Sequence, residues 1–413
     1  MNIFSYIIIA ALLLDFLLDV IADALNLKAL KQGIPPALAG VYKPDEYRKS
    51  QDYTRSRTRF GFITGSFGLL IILIFWFTGG FNFLDQIVRS WGLVAIVNGL
   101  CYIGILLIAY QLLTLPFNIY ATFVIEERFG FNRTTPRVFT TDMLKGLALT
   151  VLLGGPLLAG ILALFEYAGG YAWLYCWLAV TIYTMVMQFI APIWIMPLFN
   201  KFTPMEPGEL KDAIQDYARS VGYEVGNISV MDGSKRSTKT NAFFTGFGRT
   251  KRIALFDTLI SKHTIPELVA VLAHEIGHYK KKHILWGIVI GIAHAGLIFY
   301  LLSALLGSPA LFQTFYMGQS SVYAGLLFFG LLYTPVEMVL SIALQIFSRR
   351  NEYAADRFAS ETTDEPASLV DALKKLATEN LSNLTPHPFY VFLNYSHPPL
   401  LQRVQAIQRY TPN

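Results

Sequence analysis

The stretch HEIGHYKKKHILWGIVIGIAHAGLIFYLLSALL, residues 274–306, decides the fold class. It begins with two histidines four residues apart, passes through three consecutive lysines, and ends in an apolar run over 284–306 that contains no Asp, Glu, Lys or Arg. An uncharged apolar run of about 20 residues is long enough to cross a bilayer as a helix. The stretch therefore predicts a histidine-bearing helix that meets a membrane span.

Six further apolar runs of similar length occur near 3–22, 61–80, 92–115, 147–166, 171–196 and 322–347. The whole chain is 54% hydrophobic and only 15% charged, which excludes an ordinary soluble domain and a disordered one. Two cysteines are too few for a disulfide framework. In the first run, Asp15, Asp19 and Asp23 share one helical face, so we expect that face to point into a bundle. We predict seven spans.

The distribution of Lys and Arg supports this number and gives the orientation. Basic residues cluster in 23–60, 116–146, 197–283 and after 347, whereas 81–91 holds only Arg89 and 307–321 holds none. With seven spans, all basic segments lie on one side, which the positive-inside rule assigns to the cytoplasm. The prediction is an N-terminus outside and a C-terminus in the cytoplasm. The positive charge then serves orientation and lipid contact, so we expect no nucleic-acid partner.

Two polar regions can fold outside the membrane, and they define four parts of the chain. These are five spans with their loops in 1–196, a segment with the histidine motif in 197–283, spans six and seven in 284–347, and a C-terminal segment in 348–413. The first polar region predicts strands at 227–231, 241–245 and 252–256. The second predicts a helix starting near 350. We expect the two regions to pack together as one small α+β domain, because neither alone can bury a full core.

The histidine motif indicates a catalytic metal. On a helix, His274 and His278 lie one turn apart on one face and can bind one zinc ion, while Glu275 can reach a water at that ion. A third ligand is required, and the candidates are the other five histidines and any acidic residue nearby in space. The best candidate is Glu352, with Asp356 one turn later as a carboxylate that can orient an imidazole. Both follow span seven closely, as His278 precedes span six.

The remaining histidines receive other interpretations. We interpret His263, His283 and His387 as surface or interface residues rather than ligands. His294 and Glu337 lie inside predicted spans, where a polar side chain is costly, so they should face an interior cavity or each other.

An ordered set of motifs covers nearly the whole chain and resembles the CaaX prenyl protease 1 family of integral-membrane zinc metalloproteases. The motifs lie at 47–53, 123–132, 197–202, 240–246, 274–278, 352–356 and 396–399. The resemblance implies a mostly α fold, a bundle or barrel of seven transmembrane helices around an internal water-filled chamber. It also implies that the small α+β zinc metalloprotease domain lies at the cytoplasmic face.

The resemblance also implies roles for individual residues. It implies one zinc ion per chain bound by His274, His278 and Glu352, with Glu275 as the base. His397 matches the histidine that stabilises the oxyanion, and Asp356 matches a residue that supports a zinc histidine or donates a proton. Arg403 matches an arginine for which we expect a structural role. Asn241, Ala242 and Phe243 match the start of an edge strand that pairs with the substrate.

The expected function is hydrolysis of peptide bonds in CaaX-type prenylated C-terminal peptides, in membrane-protein quality-control substrates, or in both. The chain ends lack an extended tail and an endoplasmic-reticulum retrieval signal, so we expect a prokaryotic member in the bacterial inner membrane. We also expect a monomer. The endoplasmic-reticulum membrane is the alternative location.

Two other functions remain open from the sequence. A site-2-type intramembrane protease is disfavoured because lysines follow the motif directly and the Asp232-Gly233 pair lies in a polar segment. A transporter or binding protein with a non-catalytic zinc is disfavoured because metal binding alone does not need Glu275.

Overall fold

A computed structural model describes residues 1–30, 33–245 and 252–410. Within these ranges, seven helical segments are long and apolar enough to cross a membrane, which confirms the predicted seven spans. They are Ile3–Ala29, Pro44–Phe77, Ala95–Glu126, Pro136–Tyr167, Gly169–Phe199, His283–Leu306 and Val322–Thr362.

The α-helices of the described residues are numbered here in chain order. They are α1 Ile3–Ala29, α2 Pro44–Phe77, α3 Gly80–Ser90, α4 Ala95–Tyr120, α5 Pro136–Leu149, α6 Gly155–Tyr167, α7 Ala172–Ile190, α8 Met196–Phe199, α9 Glu209–Ser220, α10 Asp257–Ile260, α11 Ile265–Lys280, α12 His283–Leu306, α13 Pro309–Thr314, α14 Val322–Thr362, α15 Ala367–Glu379, α16 Pro388–Asn394 and α17 Leu400–Tyr410. Short π-helical segments at Ala121–Glu126, Thr150–Gly154 and Ala191–Ile195 continue spans three to five.

Helix α14 forms span seven and continues well beyond it. Its 41 residues extend for about 60 Å, roughly twice the hydrocarbon thickness of a bilayer. The prediction of a separate helix from about 350 is therefore wrong. Residues 348–351 contain neither Gly nor Pro, and Arg349 donates hydrogen bonds to the carbonyls of Val391 and Tyr395, so nothing ends the helix there. Glu352 is thus held rigidly by a membrane span.

The buried residues concentrate at the two ends of the molecule. At one end, aromatic side chains from α2, α3, α13 and α14 stack together, with the rings of Phe315 and Phe328 3.9 Å apart and those of Trp76 and Phe315 4.7 Å apart. At the other end, a larger core surrounds the sheet and α11. Between them, at most 22% of each apolar window is buried. Such low burial is expected when helices contact lipid on one side and line an open interior on the other.

The described residues contain one mixed sheet of four strands, β1 Phe202–Pro204, β2 Asn227–Met231, β3 Ala242–Thr245 and β4 Arg252–Phe256. The strand order is β1-β2-β4-β3, with β2 and β4 parallel and the outer pairs antiparallel. The three predicted strands are confirmed, whereas β1 was missed because three largely exposed residues carry no alternation signal. The residues between β3 and β4, 246–251, lie outside the described residues.

Candidate metal centre and active site

Helix α11 carries the histidine motif, and its sequence defines where it begins. Thr264 is the N-cap, and its backbone N–H donates to the Glu267 carboxylate at 2.9 Å, completing a capping box with Pro266 in the first turn. The face that includes Ala273, Ile276 and Gly277 is buried. The histidines lie on this helix where it packs against α14.

Gly277, inside the motif, allows the two helices to approach closely. A Cβ atom at this position would lie 3.1 Å from both the Cα and the carbonyl oxygen of Ala355. Backbone atoms of a packed helix cannot rotate away as a flexible side chain can. A Cβ atom here would therefore push the two helices apart by a few tenths of an ångström, and the sequence interpretation did not assign this role to Gly277.

The close approach brings three potential ligands together. The Nε2 atoms of His274 and His278 lie 3.2 Å apart, and each lies 3.3–3.4 Å from a carboxylate oxygen of Glu352. Ligand atoms at ordinary zinc distances with tetrahedral angles lie about 3.3 Å from one another. The two histidine nitrogens have this spacing, and Glu352 faces them with Oε2 toward His274 and Oε1 toward His278, so the three side chains can surround one ion.

The donor set also fits a zinc ion chemically. Glu352 is only 3% exposed, and its Oε2 atom has no hydrogen-bond partner within the described residues. A buried carboxylate oxygen without a donor is costly unless a cation compensates it, and Arg403 Nη1, at 3.6 Å from this oxygen, lies beyond hydrogen-bond distance. Two imidazoles and one carboxylate leave a fourth position open, as in catalytic zinc sites.

Asp356 and Arg403 support the first histidine. Asp356 is fully buried, and its carboxylate lies 2.9 Å from His274 Nδ1. Arg403 donates two hydrogen bonds to the same carboxylate, at 2.6 and 2.8 Å. Through Arg403, α17 delivers a charge next to the carboxylate of α14, and the structural role expected for Arg403 stays a prediction.

The buried carboxylates shift the pKa values of His274 and Arg403. Burial lowers the pKa of His274, but the interactions with Asp356 and Glu352 outweigh burial and raise the pKa to about 9. Burial also lowers the pKa of the Arg403 guanidinium, whereas the Asp356 and Glu352 carboxylates raise it, and the net direction is upward. Arg403 therefore stays charged although it is only 9% exposed.

Two further predicted site residues border the ligand group. His397 Nε2 lies 3.3 Å from Glu352 Oε1, and 64% of the His397 side chain is exposed, so it is open to an incoming ligand. Its Nδ1 contacts the hydroxyl of Ser396 at 2.9 Å. Glu275 directly follows His274 on α11 and is partly exposed. The structure thus places His397 beside Glu352, and Glu275 next to His274 on the same helix.

Other histidines differ from their sequence interpretation. His263 is buried rather than on the surface, with Nδ1 3.1 Å from the carbonyl of Leu259. His283 contacts the motif itself, since its Nδ1 lies 3.0 Å from Nδ1 of His278. No sequence pattern predicts this contact, because it depends on the turn between α11 and α12. His294 faces Glu337 at 3.2 Å, as expected.

The residues predicted to bind substrate lie at an edge of the sheet. Strand β3 is last in the strand order, and it pairs only with β4 among the described strands. Asn241 immediately precedes it, while Ala242 and Phe243 pair with Leu255 and Ala254 of β4.

Nearly the whole chain is similar to known proteins. Residues 23–201 match a family model described as CAAX prenyl protease N-terminal, five membrane helices, and residues 204–411 match peptidase family M48. The chain is 34% identical to CAAX prenyl protease 1 of Saccharomyces cerevisiae, over 91% of this chain and 88% of that one. The Arabidopsis thaliana homolog is 35% identical, over 98% and 97%.

A solved structure is similar over the same length. The crystal structure of S. mikatae Ste24p superimposes with a TM-score of 0.92 and 34% identity, covering 98% of this chain and 99% of that one. The chain belongs to the CAAX prenyl protease 1 family. It is therefore a multi-pass membrane metalloprotease that acts on peptide or protein substrates, and the predicted fold class is confirmed. Membership in this family of peptidases replaces the site-2-type and transporter alternatives.

Proposed function

We propose that this chain binds one zinc ion through His274, His278 and Glu352 and cleaves CaaX-type C-terminal peptides. The single observation that carries the proposal is that ligand atoms of His274, His278 and Glu352 lie within 4.8 Å of one another, with the two histidine Nε2 atoms 3.2 Å apart, the separation expected at a tetrahedral zinc ion. The substrate class is taken from the relatives in Saccharomyces cerevisiae and Arabidopsis thaliana, which are named CAAX prenyl protease 1 and its homolog.

Each side chain has a distinct task in the proposed reaction. Zinc, when bound, polarises the scissile carbonyl and lowers the pKa of the attacking water. The Glu275 carboxylate accepts a proton from that water and later passes it to the nitrogen of the leaving amine. His397 donates a hydrogen bond to the oxygen of the scissile carbonyl as negative charge develops there. Asp356 accepts a hydrogen bond from His274 Nδ1 and fixes the orientation of that ring.

We further propose that the substrate backbone pairs with β3. The carbonyl of Asn241 accepts a hydrogen bond from the N–H of Phe256, so the N–H of Ala242, one residue on, points away from β4. The side chain of Asn241 accepts this N–H at 2.8 Å. A peptide carbonyl would take the place of the Asn241 amide oxygen, which makes Ala242 the backbone donor of the edge.

The proposed topology places the protease domain in the cytoplasm. The basic segments 116–146 and 197–283 lie on one side of the seven spans, and 307–321 lies on the other. A monomeric protein in a bacterial inner membrane, with the endoplasmic reticulum as the alternative, completes the proposal.

The decisive experiment compares the wild type with Glu275→Gln. Gln has the size of Glu but accepts no proton, so the variant should hold about one zinc, as the wild type does, and lose nearly all turnover of a CaaX peptide. Zinc is measured by elemental analysis, and cleavage by single-turnover kinetics. Full turnover by the zinc-loaded variant would refute the proposed mechanism.

A further inference from the structure

The two ring nitrogens of His278 face different partners. Nε2 lies 3.2 Å from His274 Nε2 and 3.3 Å from Glu352 Oε1, so this nitrogen belongs to the ligand group of His274, His278 and Glu352. Nδ1 lies 3.0 Å from Nδ1 of His283. A neutral imidazole has one nitrogen that donates and one with a free lone pair. If Nε2 gives its lone pair to a metal, the proton must be on Nδ1, and the Nδ1–H of His278 is the donor to His283.

This requirement fixes the state of His283. Two Nδ1 atoms at 3.0 Å cannot both carry a proton in a hydrogen bond, so His283 Nδ1 accepts and the proton of His283 is on its Nε2. The rings meet edge to face, with centroids 5.1 Å apart and an interplanar angle of 75°. His283 is only partly exposed, which limits competition from water for this hydrogen bond.

The backbone between the two histidines is shaped for this contact. His278 is in the last turn of α11 and His283 is the first residue of α12. Between them, Lys282 has φ 60° and ψ 26°, a left-handed conformation that residues with a Cβ adopt at a cost. This residue separates α11 from α12, which begins with its first side chain against the motif.

We propose that His283 is a positioning residue, which fixes the ring of His278 for metal binding by accepting its Nδ1–H. The two zinc histidines are then held differently, His274 by the Asp356 carboxylate and His278 by a second imidazole. This inference rests on the metal site of the proposed function. It adds His283, which lies outside the histidine motif, as a residue that acts on the site without touching the substrate or binding the ion.

The test uses full-length protein in detergent and three substitutions of His283. His283→Ala removes the acceptor, and the zinc affinity should fall about 10- to 100-fold, as for other partners of zinc ligands. His283→Asn places an amide oxygen close to the position of Nδ1 and should restore the affinity. His283→Gln places its oxygen one bond further out and should behave like His283→Ala. Lys281→Ala, on the same turn and exposed, is the matched control and should bind zinc as the wild type does.

Two readouts other than activity decide the outcome. Zinc affinity is measured by competition with a chromogenic chelator, and the visible spectrum of the cobalt-substituted protein reports the ligand geometry. The Asn and wild-type spectra should coincide and the Ala spectrum should differ. Wild-type affinity in His283→Ala, or equal losses in the Asn and Gln variants with unchanged thermal unfolding of the metal-free protein, would overturn the inference. Absence of zinc from the wild type would instead refute the proposed metal site.

Discussion

Replacing Gly277 with Ala tests how the two ligand-bearing helices are spaced. The added Cβ would lie 3.1 Å from the backbone of Ala355, whereas ordinary van der Waals contact begins at 3.4 Å. Helices α11 and α14 must therefore separate by at least about 0.3 Å, which exceeds the roughly 0.2 Å tolerance of metal–ligand distances. Glu352 moves with one helix and both histidines with the other, so the zinc affinity should fall about tenfold or more, the scale known for mutations of groups that orient zinc ligands.

The stability of the metal-free protein should change much less. Ala stabilises a helix by about 1 kcal/mol relative to Gly, while overpacking costs about 1–3 kcal/mol. The two effects nearly offset, which leaves between no change and a loss of about 2 kcal/mol. Zinc affinity by chelator competition and thermal unfolding without metal separate the two. Gly287→Ala is the control, because a Cβ there meets nothing within 4 Å. Unchanged zinc affinity in Gly277→Ala would refute the reasoning.

Three further outcomes are expected. His397→Ala should retain zinc but lose about 2.7–4 kcal/mol of oxyanion stabilisation. This loss should lower kcat about a hundred- to a thousandfold with little change in KM, and an unchanged kcat would exclude the proposed role. Asp356→Asn removes the carboxylate that accepts both hydrogen bonds of the buried Arg403 and leaves only Glu352, at 3.6 Å, beside this charge. The variant should be destabilised by about 3–5 kcal/mol, seen as a lower melting temperature in detergent, and an unchanged melting temperature would contradict this pairing. Single cysteines in 197–283 should react with impermeant reagents only after the membrane is opened, and those in 307–321 should react in intact cells; the reverse pattern would invert the topology.

Much of this architecture is encoded locally, and the sequence therefore predicts it. Long apolar runs with few charged residues identify the seven spans, because the cost of burying charge in hydrocarbon acts on each segment independently. The strands at 227–231 and 252–256 follow from alternation within a few residues. The spacing of His274 and His278 predicts a metal-binding face, because one helical turn brings them together regardless of the rest of the chain.

What depends on contacts between distant segments was decided only by the tertiary structure. Glu352 was one of several possible third ligands, and it is selected because an unbroken α14 carries it past Gly277, where α11 approaches most closely. His283 gave no signal as a partner of His278, because the strained turn at Lys282 depends on how α12 enters the bundle. Local periodicity determines each helix and its faces. The distance between two helices depends on packing across the whole core, and a metal site requires that distance to within a few tenths of an ångström.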